Sequence, residues 1–106
     1  MQQAIVITTT LEKIQDAESL ARLLLEQRLV ACAHVTAQSK SLYWWQGAIC
    51  EALEYELRMK SSLELFPEIE ARIKAEHPYQ TPEIVATPIV AGSQDYLHWM
   101  EAELRK

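Results

Sequence analysis

Residues 41–51 of this chain read SLYWWQGAICE, and the predicted fold depends on this stretch. It contains two of the three tryptophans and one of the two glycines, Gly47. Residues 30–40 are rich in alanine and β-branched side chains, and residues 49–61 alternate apolar and polar side chains. A glycine between two strand-like runs predicts a β-hairpin turn. We therefore expect one long strand to reverse into the next, with the aromatic side chains close to the turn.

The strand after this turn has the clearest alternation in the chain. Its predicted core face carries four apolar side chains: Leu53, Tyr55, Leu57 and Met59. The opposite face carries charges of both signs: Glu54, Glu56, Arg58 and Lys60. A period of two over eight residues is typical of a β-strand. The charged face is interpreted as an ion-pair ladder or an interface in preference to the lining of an active site.

The residues before the hairpin predict a strand and a helix. Residues 4–9 are β-branched and nearly continuously apolar, which indicates a strand that is central in its sheet and buried on both faces. Thr9 and Glu12 have the spacing of a capping box, so a helix is expected to begin there. Apolar side chains recur at helical spacing from Ile14 to Leu25, which predicts an amphipathic helix of about four turns.

The residues after the hairpin predict a second helix, a strand and a third helix. Ser62 is the expected cap of the second helix, and this helix should end before Pro78 because the residue preceding a proline avoids helical geometry. Residues 84–90 are expected to form a strand, which Pro88 places at a sheet edge because it has no donor for the ladder. The last helix is expected to begin at Gly92-Ser93.

This order of elements predicts an α+β fold, a ferredoxin-like βαββαβ sandwich with an extra C-terminal helix. The 106 residues are sufficient for a single domain, residues 1–106. Helices should cover one face of the sheet, and the rest of the chain offers little beyond its last helix for the other face. The hairpin is also longer than a four-stranded sheet requires. Both features predict an oligomer with a long β-hairpin arm.

Composition and charge narrow the classes of partner. The formal net charge is −5 and the ten basic residues are not clustered, so nucleic acid is not an expected partner. No apolar run approaches the ~18 residues of a membrane span, and no signal peptide is recognisable. The two cysteines, Cys32 and Cys50, are too few for a disulfide framework. We therefore expect a cytoplasmic protein with reduced thiols.

The candidate nucleophiles have no convincing general base. Cys32 or Cys50 would need His34 or His77 as the base. Cys32 and His34 lie two residues apart on one strand, so they share a face without being placed for attack. The chain also lacks a P-loop, a Rossmann glycine pattern and a Ser-His-Asp motif. Structural thiols and a protein that is not an enzyme are the preferred interpretation.

The metal-binding side chains and the aromatic side chains each allow more than one interpretation. Cys32 with His34, or His77 with Glu76, could supply two ligands for copper or zinc. The CxxC, HxxxH and HExxH patterns are absent, so the sequence does not predict a closed metal site within one subunit. Adjacent in a strand, Trp44 and Trp45 must face opposite sides. We expect one of them to fill the core and the other to contact a neighbouring subunit, in preference to a ligand platform.

Four sequence blocks resemble the CutA family, whose members are called divalent-cation tolerance proteins. In chain order they are LVACA at 29–33, SLYWWQG at 41–47, HPYQTPE at 77–83 and DYLHW at 95–99. The resemblance covers essentially the whole chain. It implies a ferredoxin-like subunit in a tight homotrimer, with strands that continue the sheets of neighbours. It also implies a cytoplasmic role in tolerance to copper and other divalent metals, without an established catalytic reaction.

The resemblance also implies site residues, which this chain retains only in part. The family's copper ligands are a cysteine at the end of the first strand and two adjacent histidines, and these positions correspond here to Thr9, Glu76 and His77. The expected metal residues are therefore His77 and Glu76, without an obligatory cofactor and with weak binding of copper or another divalent cation. Glu and His together favour zinc or a harder cation over cuprous copper.

The resemblance finally implies an intersubunit cleft. The residues expected at this cleft or at the interface are Tyr43, Trp44, Trp45, Glu54, Lys60, Tyr79 and Glu83. A ligand is expected near His77, Tyr79, Lys60 and Trp45. Arg58 stands where the family more often has an apolar residue, which predicts an acidic partner, either Glu56 or Glu54 of a neighbour. Similarity to the trimeric PII signalling proteins implies an alternative function, a sensor that binds a small molecule or an anion in these clefts.

Overall fold

The computed structural model describes all 106 residues. Its strands are β1 (Ala4–Leu11), β2 (Cys32–Val35), β3 (Ser39–Trp45), β4 (Ala48–Ser62) and β5 (Val85–Pro88). Its helices are α1 (Ile14–Glu26), α2 (Phe66–Glu76) and α3 (Gln94–Glu103), and a short 3-10 turn, Leu63–Leu65, precedes α2. The predicted α+β, ferredoxin-like order is confirmed. The long strand expected before the turn is divided into β2 and β3 by a break at residues 36–38.

The five strands form one antiparallel sheet in the order β2-β4-β1-β5, and β3 pairs with β4 outside this path. The strand β1 lies between β4 and β5, so its predicted central position is confirmed. Only one face of β1 is continuously buried, however, because its side chains alternate between buried and half-exposed beyond Ala4. The strand β5 pairs with β1 alone, and Pro88 therefore lies on a sheet edge as predicted.

The helices cover the two faces of the sheet unequally. The main core lies between α1, α2 and one sheet face, and it includes Ile5, Ile7, Leu11, Leu20, Leu24, Leu57, Met59, Ile69 and Ile73. The helix α3 packs on the opposite face at one end, where Met100 and Leu104 contact Ala4 and Ala31. This helix begins as predicted, because the Ser93 hydroxyl accepts a hydrogen bond from the Tyr96 N–H at 3.3 Å.

Both predicted helix caps are wrong. Thr9 lies inside β1 and pairs with Leu57, so α1 begins five residues later, at Ile14. Ser62 is the last residue of β4 and precedes the 3-10 turn, but its side chain forms no capping hydrogen bond, and α2 begins only at Phe66 with Pro67 in its first turn. In both places the ladder between β1 and β4 continues through the residue that could have capped a helix. Sheet pairing therefore prevails over a local capping signal.

Thr9→Val is expected to stabilise the protein. The Thr9 side chain is fully buried on the helix-covered face, and its Oγ1 has no hydrogen-bond partner. Valine keeps the shape and removes the unpaired hydroxyl, so the free energy of unfolding should rise by about 1 kcal/mol. Urea denaturation measures this change. The matched control is Thr8→Val, on the half-exposed face of the same strand, and a loss of stability in Thr9→Val would contradict the expectation.

The β3–β4 hairpin is an arm that extends the molecule to 44 Å along its longest axis, against 25 and 23 Å along the others. Its turn is formed by Gln46 and Gly47, which both have positive φ angles, 51° and 82°. Two such residues form the tight turn whose twist matches that of the flanking strands. The predicted hairpin turn is therefore confirmed.

One side of the arm exposes large apolar side chains next to an ion pair between Lys40 and Glu51. Cross-strand pairing places four side chains together there, which we call the apolar arm face: Leu42, Trp44, Ile49 and Leu53. Each of them is between 54 and 72% exposed. The expected core position of Leu53 is wrong, because this part of β4 extends beyond the layer of α1 and α2. Trp45 is also exposed, so the prediction that one tryptophan fills the core is wrong as well.

Candidate functional site

The loop of residues 77–83 follows α2, and its first residue joins it to β1. The His77 side chain is buried and its Nε2 is 2.8 Å from the Thr10 carbonyl oxygen. Its Nδ1 accepts a hydrogen bond from the Tyr79 N–H at 3.1 Å. A carbonyl only accepts and a backbone N–H only donates, so this arrangement requires the neutral tautomer with the proton on Nε2. Both ring nitrogens are therefore engaged inside the subunit.

The surroundings of His77 keep its imidazole neutral. Burial lowers the pKa of His77 below its ordinary value of 6.5. The hydrogen bond to Thr10 and the carboxylates of Glu54 and Asp16 act on this pKa in the opposite direction, and burial is the larger effect. Protonation would place an N–H on Nδ1 against the N–H of Tyr79. The bond between residues 77 and 79 consequently depends on the neutral ring.

The stability of the protein should therefore decrease in acid through His77. Because its pKa is lower in the folded chain, the unfolded chain binds more protons as the pH falls through about 6.5. The stability from this group is complete above that pH and is lost toward the folded-state pKa. His77→Gln keeps a donor for Thr10 without titrating, so it should flatten the pH profile. Urea unfolding at several pH values tests this, with His34→Gln as the matched control and an unchanged profile as the contradicting result.

The predicted metal residues do not form a metal site within the subunit. Glu76 is exposed and lines a separate depression of about 270 Å³ with Asp16 and Leu23. Thr9 is buried on the helix-covered face, and His77 has no free ring nitrogen. No group of three His, Cys, Asp or Glu side chains is arranged to hold an ion. Coordination by His77 and Glu76 stays a prediction, and it would require His77 to give up a hydrogen bond.

Tyr79 connects the same loop to the arm. Its hydroxyl donates a hydrogen bond of 2.6 Å to Glu54 Oε2. Burial and this bond to Glu54 raise the pKa of Tyr79 far above its ordinary value, so the phenol remains a donor. The Glu54 side chain is only 6% exposed and forms no ion pair. The charged face of β4 was not expected to be buried, and here it is covered by the loop.

A cavity of about 570 Å³ lies between the loop and the arm. Its lining is formed by nine residues: Thr10, Ser41, Leu42, Tyr43, Glu54, Tyr79, Thr81, Pro82 and Glu83. Four of the seven residues predicted at a cleft or interface are therefore brought together. Trp45 lines a smaller neighbouring cavity of about 200 Å³ together with Tyr43 and Tyr79. Contacts of these residues with a neighbouring subunit stay a prediction.

Five lining residues were not predicted, and two predicted residues, Trp44 and Lys60, lie elsewhere. Thr10 could have been found from the alternation of β1, and Thr81 from its place in the HPYQTPE block. Lys60 is six residues from Glu54 along β4, a separation of roughly 20 Å in a strand. Its Nζ lies 5.4 Å from the centre of the Tyr96 ring. Within one subunit, the expected grouping of Lys60 with Tyr79 and Trp45 does not form.

The cavity carries negative charge that is not compensated. Partial desolvation, together with the charges of Glu56 and Glu54, raises the pKa of Glu83. Arg58 approaches Glu56 at 3.6 Å, so the acidic partner predicted for this arginine is found in its own strand. None of the lining residues is basic. This charge distribution disfavours an anion in the cavity of the single subunit.

The cysteines are not paired with a general base. Both are free, and Cys32 Sγ lies 3.5 Å from the Tyr96 hydroxyl. Cys50 Sγ is 4.0 Å from the Ala48 carbonyl oxygen. Neither thiol forms a hydrogen bond to a histidine, so the structure does not assemble the nucleophile and base considered above. Separately, none of the helices combines the length and the apolar character that crossing a bilayer requires.

Comparisons with known proteins agree over nearly the whole chain. The family model described as CutA1 divalent ion tolerance protein matches residues 5–103. The divalent-cation tolerance protein CutA of Thermus thermophilus is 40% identical over 100 residues, which are 94% of this chain and 95% of that protein. A solved structure of the divalent cation tolerance protein from Thermus thermophilus superposes with a TM-score of 0.93 at 37% identity, over 96% of this chain and 99% of that one. The solved structure of CutA1 from Oryza sativa superposes with a TM-score of 0.94 at 30% identity, over 98% of this chain and 95% of that one.

Proposed function

Because this chain belongs to the CutA1 divalent ion tolerance protein family, we propose that it acts as a non-enzymatic homotrimer in the response to divalent metal ions such as copper. The observation that carries the proposal is the family match over residues 5–103. The absence of a paired nucleophile and base among the cysteines and histidines is compatible with a function that does not involve catalysis.

A trimer is supported by surfaces that one subunit leaves uncovered. The apolar arm face exposes four large side chains, and exposed apolar patches of this kind commonly mark interaction sites. The strands β3 and β5 each pair with one strand only, so each has a free edge. Free edges can pair with the strands of another chain. An arm that pairs with a neighbour would both cover its apolar face and extend the neighbour's sheet.

Growth under metal stress tests the function. A strain that lacks the gene should be more sensitive to Cu²⁺, Zn²⁺ or Cd²⁺ than its parent, and a plasmid copy should restore tolerance. The matched control is the same strain under sodium chloride at equal ionic strength, which should not separate the two strains. Equal growth of parent and deletion strain in every metal would contradict a role in tolerance.

Calorimetric titration with Cu²⁺ and Zn²⁺ tests direct binding. We expect weak binding that His77→Ala and Glu76→Gln reduce, while His34→Ala, at an exposed histidine of β2, should leave it unchanged. Coordination by His77 would compete with its bonds to Thr10 and Tyr79, which is one reason to expect low affinity. Identical isotherms for wild type and His77→Ala would exclude this histidine as a ligand.

The proposed location is the cytoplasm, where the two unpaired thiols would remain reduced. Membranes and nucleic acids are not among the proposed partners, since the chain is acidic overall. Cell fractionation tests the location, and recovery of the protein in a periplasmic fraction would contradict it.

A second candidate function is a regulatory sensor of the PII type, and the cavity of about 570 Å³ favours it. A thermal-shift screen with nucleotides, small anions and small cations distinguishes it from the first. No shift with any of these ligands would count against a sensor.

A further inference from the structure

We propose that the cavity between the arm and loop 77–83 binds a small organic cation through a primary ammonium group held by Glu54 and Glu83. This inference rests on the second candidate function, the sensor, and specifies its ligand. The ligand is an organic cation in place of the expected anion. The site is independent of the role in metal tolerance.

The buried carboxylate of Glu54 is the first reason. Its Oε2 accepts the hydrogen bond from Tyr79, whereas Oε1 has no donor within the chain. The side chain is almost completely buried, lines the cavity and has no cationic partner. Buried carboxylates are normally paired with a cation or bound by several donors. An ammonium group in the cavity would supply both the charge and the missing donor.

Glu83 is the second reason. This carboxylate lines the same cavity and forms neither an ion pair nor a hydrogen bond in the chain. The residue is exposed, and partial desolvation of its carboxylate, together with the negative charges of Glu56 and Glu54, raises its pKa. Arg58 offsets the charge of Glu56, but no lysine or arginine lines the cavity. A cation bound between residues 54 and 83 would relieve this repulsion, and its affinity should fall as acid protonates Glu83.

The size and the walls of the cavity indicate an organic cation and not a bare metal ion. Its volume is far larger than one ion occupies, and its walls include Tyr43, Tyr79, Leu42 and Pro82. Aromatic rings next to carboxylates are a common setting for alkylammonium groups. The other five lining residues carry hydroxyl or carboxylate groups, which can orient a small molecule by hydrogen bonding. The chain has no three-ligand cluster that would select a metal instead.

Isothermal titration of the assembled protein with putrescine tests the proposal. We expect saturable binding that Glu83→Gln and Glu54→Gln each weaken about tenfold or more, because each removes a charge-assisted hydrogen bond. The glutamine of Glu54→Gln keeps a carbonyl oxygen for the Tyr79 hydroxyl, and Glu83→Gln breaks no hydrogen bond, so at least the second variant should fold normally. Glu18→Gln is the matched control, because Glu18 is an exposed residue of α1 that does not line the cavity.

Several outcomes would overturn the proposal. They are the absence of saturable heat, an equal loss of affinity in Glu18→Gln, or full displacement of putrescine by an equal concentration of Mg²⁺. Saturable binding of ATP that survives Glu83→Gln would assign the cavity to anions and overturn it as well. Sensitivity of a deletion strain to copper is a separate result, so failure of the ammonium site and failure of the metal-tolerance role can be distinguished.

Discussion

Trp44→Glu is expected to dissociate the assembled protein into single chains. Trp44 is the most exposed member of the apolar arm face, and its cross-strand neighbour Ile49 is also exposed. Buried tryptophans at interfaces commonly contribute about 2–4 kcal/mol each. A closed trimer contains three equivalent interfaces, so the loss is repeated three times. A carboxylate at this position adds a desolvation cost to the loss of the indole ring.

Sedimentation velocity at micromolar concentration measures this effect. The wild type should have about three times the 12.2 kDa mass of one chain, and Trp44→Glu should have the mass of one chain. Leu25→Glu is the matched control, because Leu25 is a partly exposed apolar residue of α1 on the helical side of the subunit. A wild type that sediments as a stable monomer, or a variant that keeps the trimer mass, would contradict the proposed assembly.

Tyr79→Phe is expected to lower the free energy of unfolding by about 1.5–3 kcal/mol, the range for a hydrogen bond to a charged group. The change removes the only hydrogen bond that the Glu54 carboxylate accepts inside the subunit. It leaves that carboxylate buried without a donor, and it frees loop 77–83 from the arm. The aromatic ring itself remains beside His77, so the loss reports on the hydroxyl.

A double-mutant cycle with Glu54→Leu, which removes the acceptor of the Tyr79 hydroxyl, separates this bond from other effects. Urea denaturation of both single variants and the double variant, at one protein concentration, should show a combined loss smaller than the sum of the single losses. Tyr55→Phe is the matched control, since Tyr55 is a half-buried tyrosine of β4 whose hydroxyl forms no hydrogen bond. Fully additive losses would mean that residues 54 and 79 do not stabilise the fold through each other.

The alternation of β4 shows how much of the structure can be predicted from the residues alone. The predicted division into two faces is right, because Leu53, Leu57 and Met59 do share one side and Glu54 and Lys60 the other. The predicted burial is right only for the inner half of the strand. Periodicity identifies which side chains point together, but burial depends on what another element places over them. No helix covers the arm, whereas loop 77–83 covers Glu54.

The cavity and its hydrogen bonds also combine features that the sequence predicts with features that only the tertiary structure shows. The HPYQTPE block was identified from its letters, and residues 79 and 83 were expected at a cleft. The pairing of Tyr79 with Glu54, twenty-five residues apart, requires the hairpin and the loop to meet in space. The engagement of both His77 nitrogens could not be read from a histidine near a proline, because it depends on where the Thr10 carbonyl lies.

The sequence by itself determined the order of elements, the central strand, the edge strand marked by Pro88, the hairpin turn at Gly47 and the family. These follow from local periods, from proline and glycine geometry, and from motifs that are contiguous in the chain. Only the tertiary structure decided that Thr9 and Ser62 belong to strands, that the arm exposes its apolar face, and that Glu54 is buried beneath a loop. Such outcomes depend on contacts between residues distant in the chain, whose free energies exceed the local preferences that a single segment expresses.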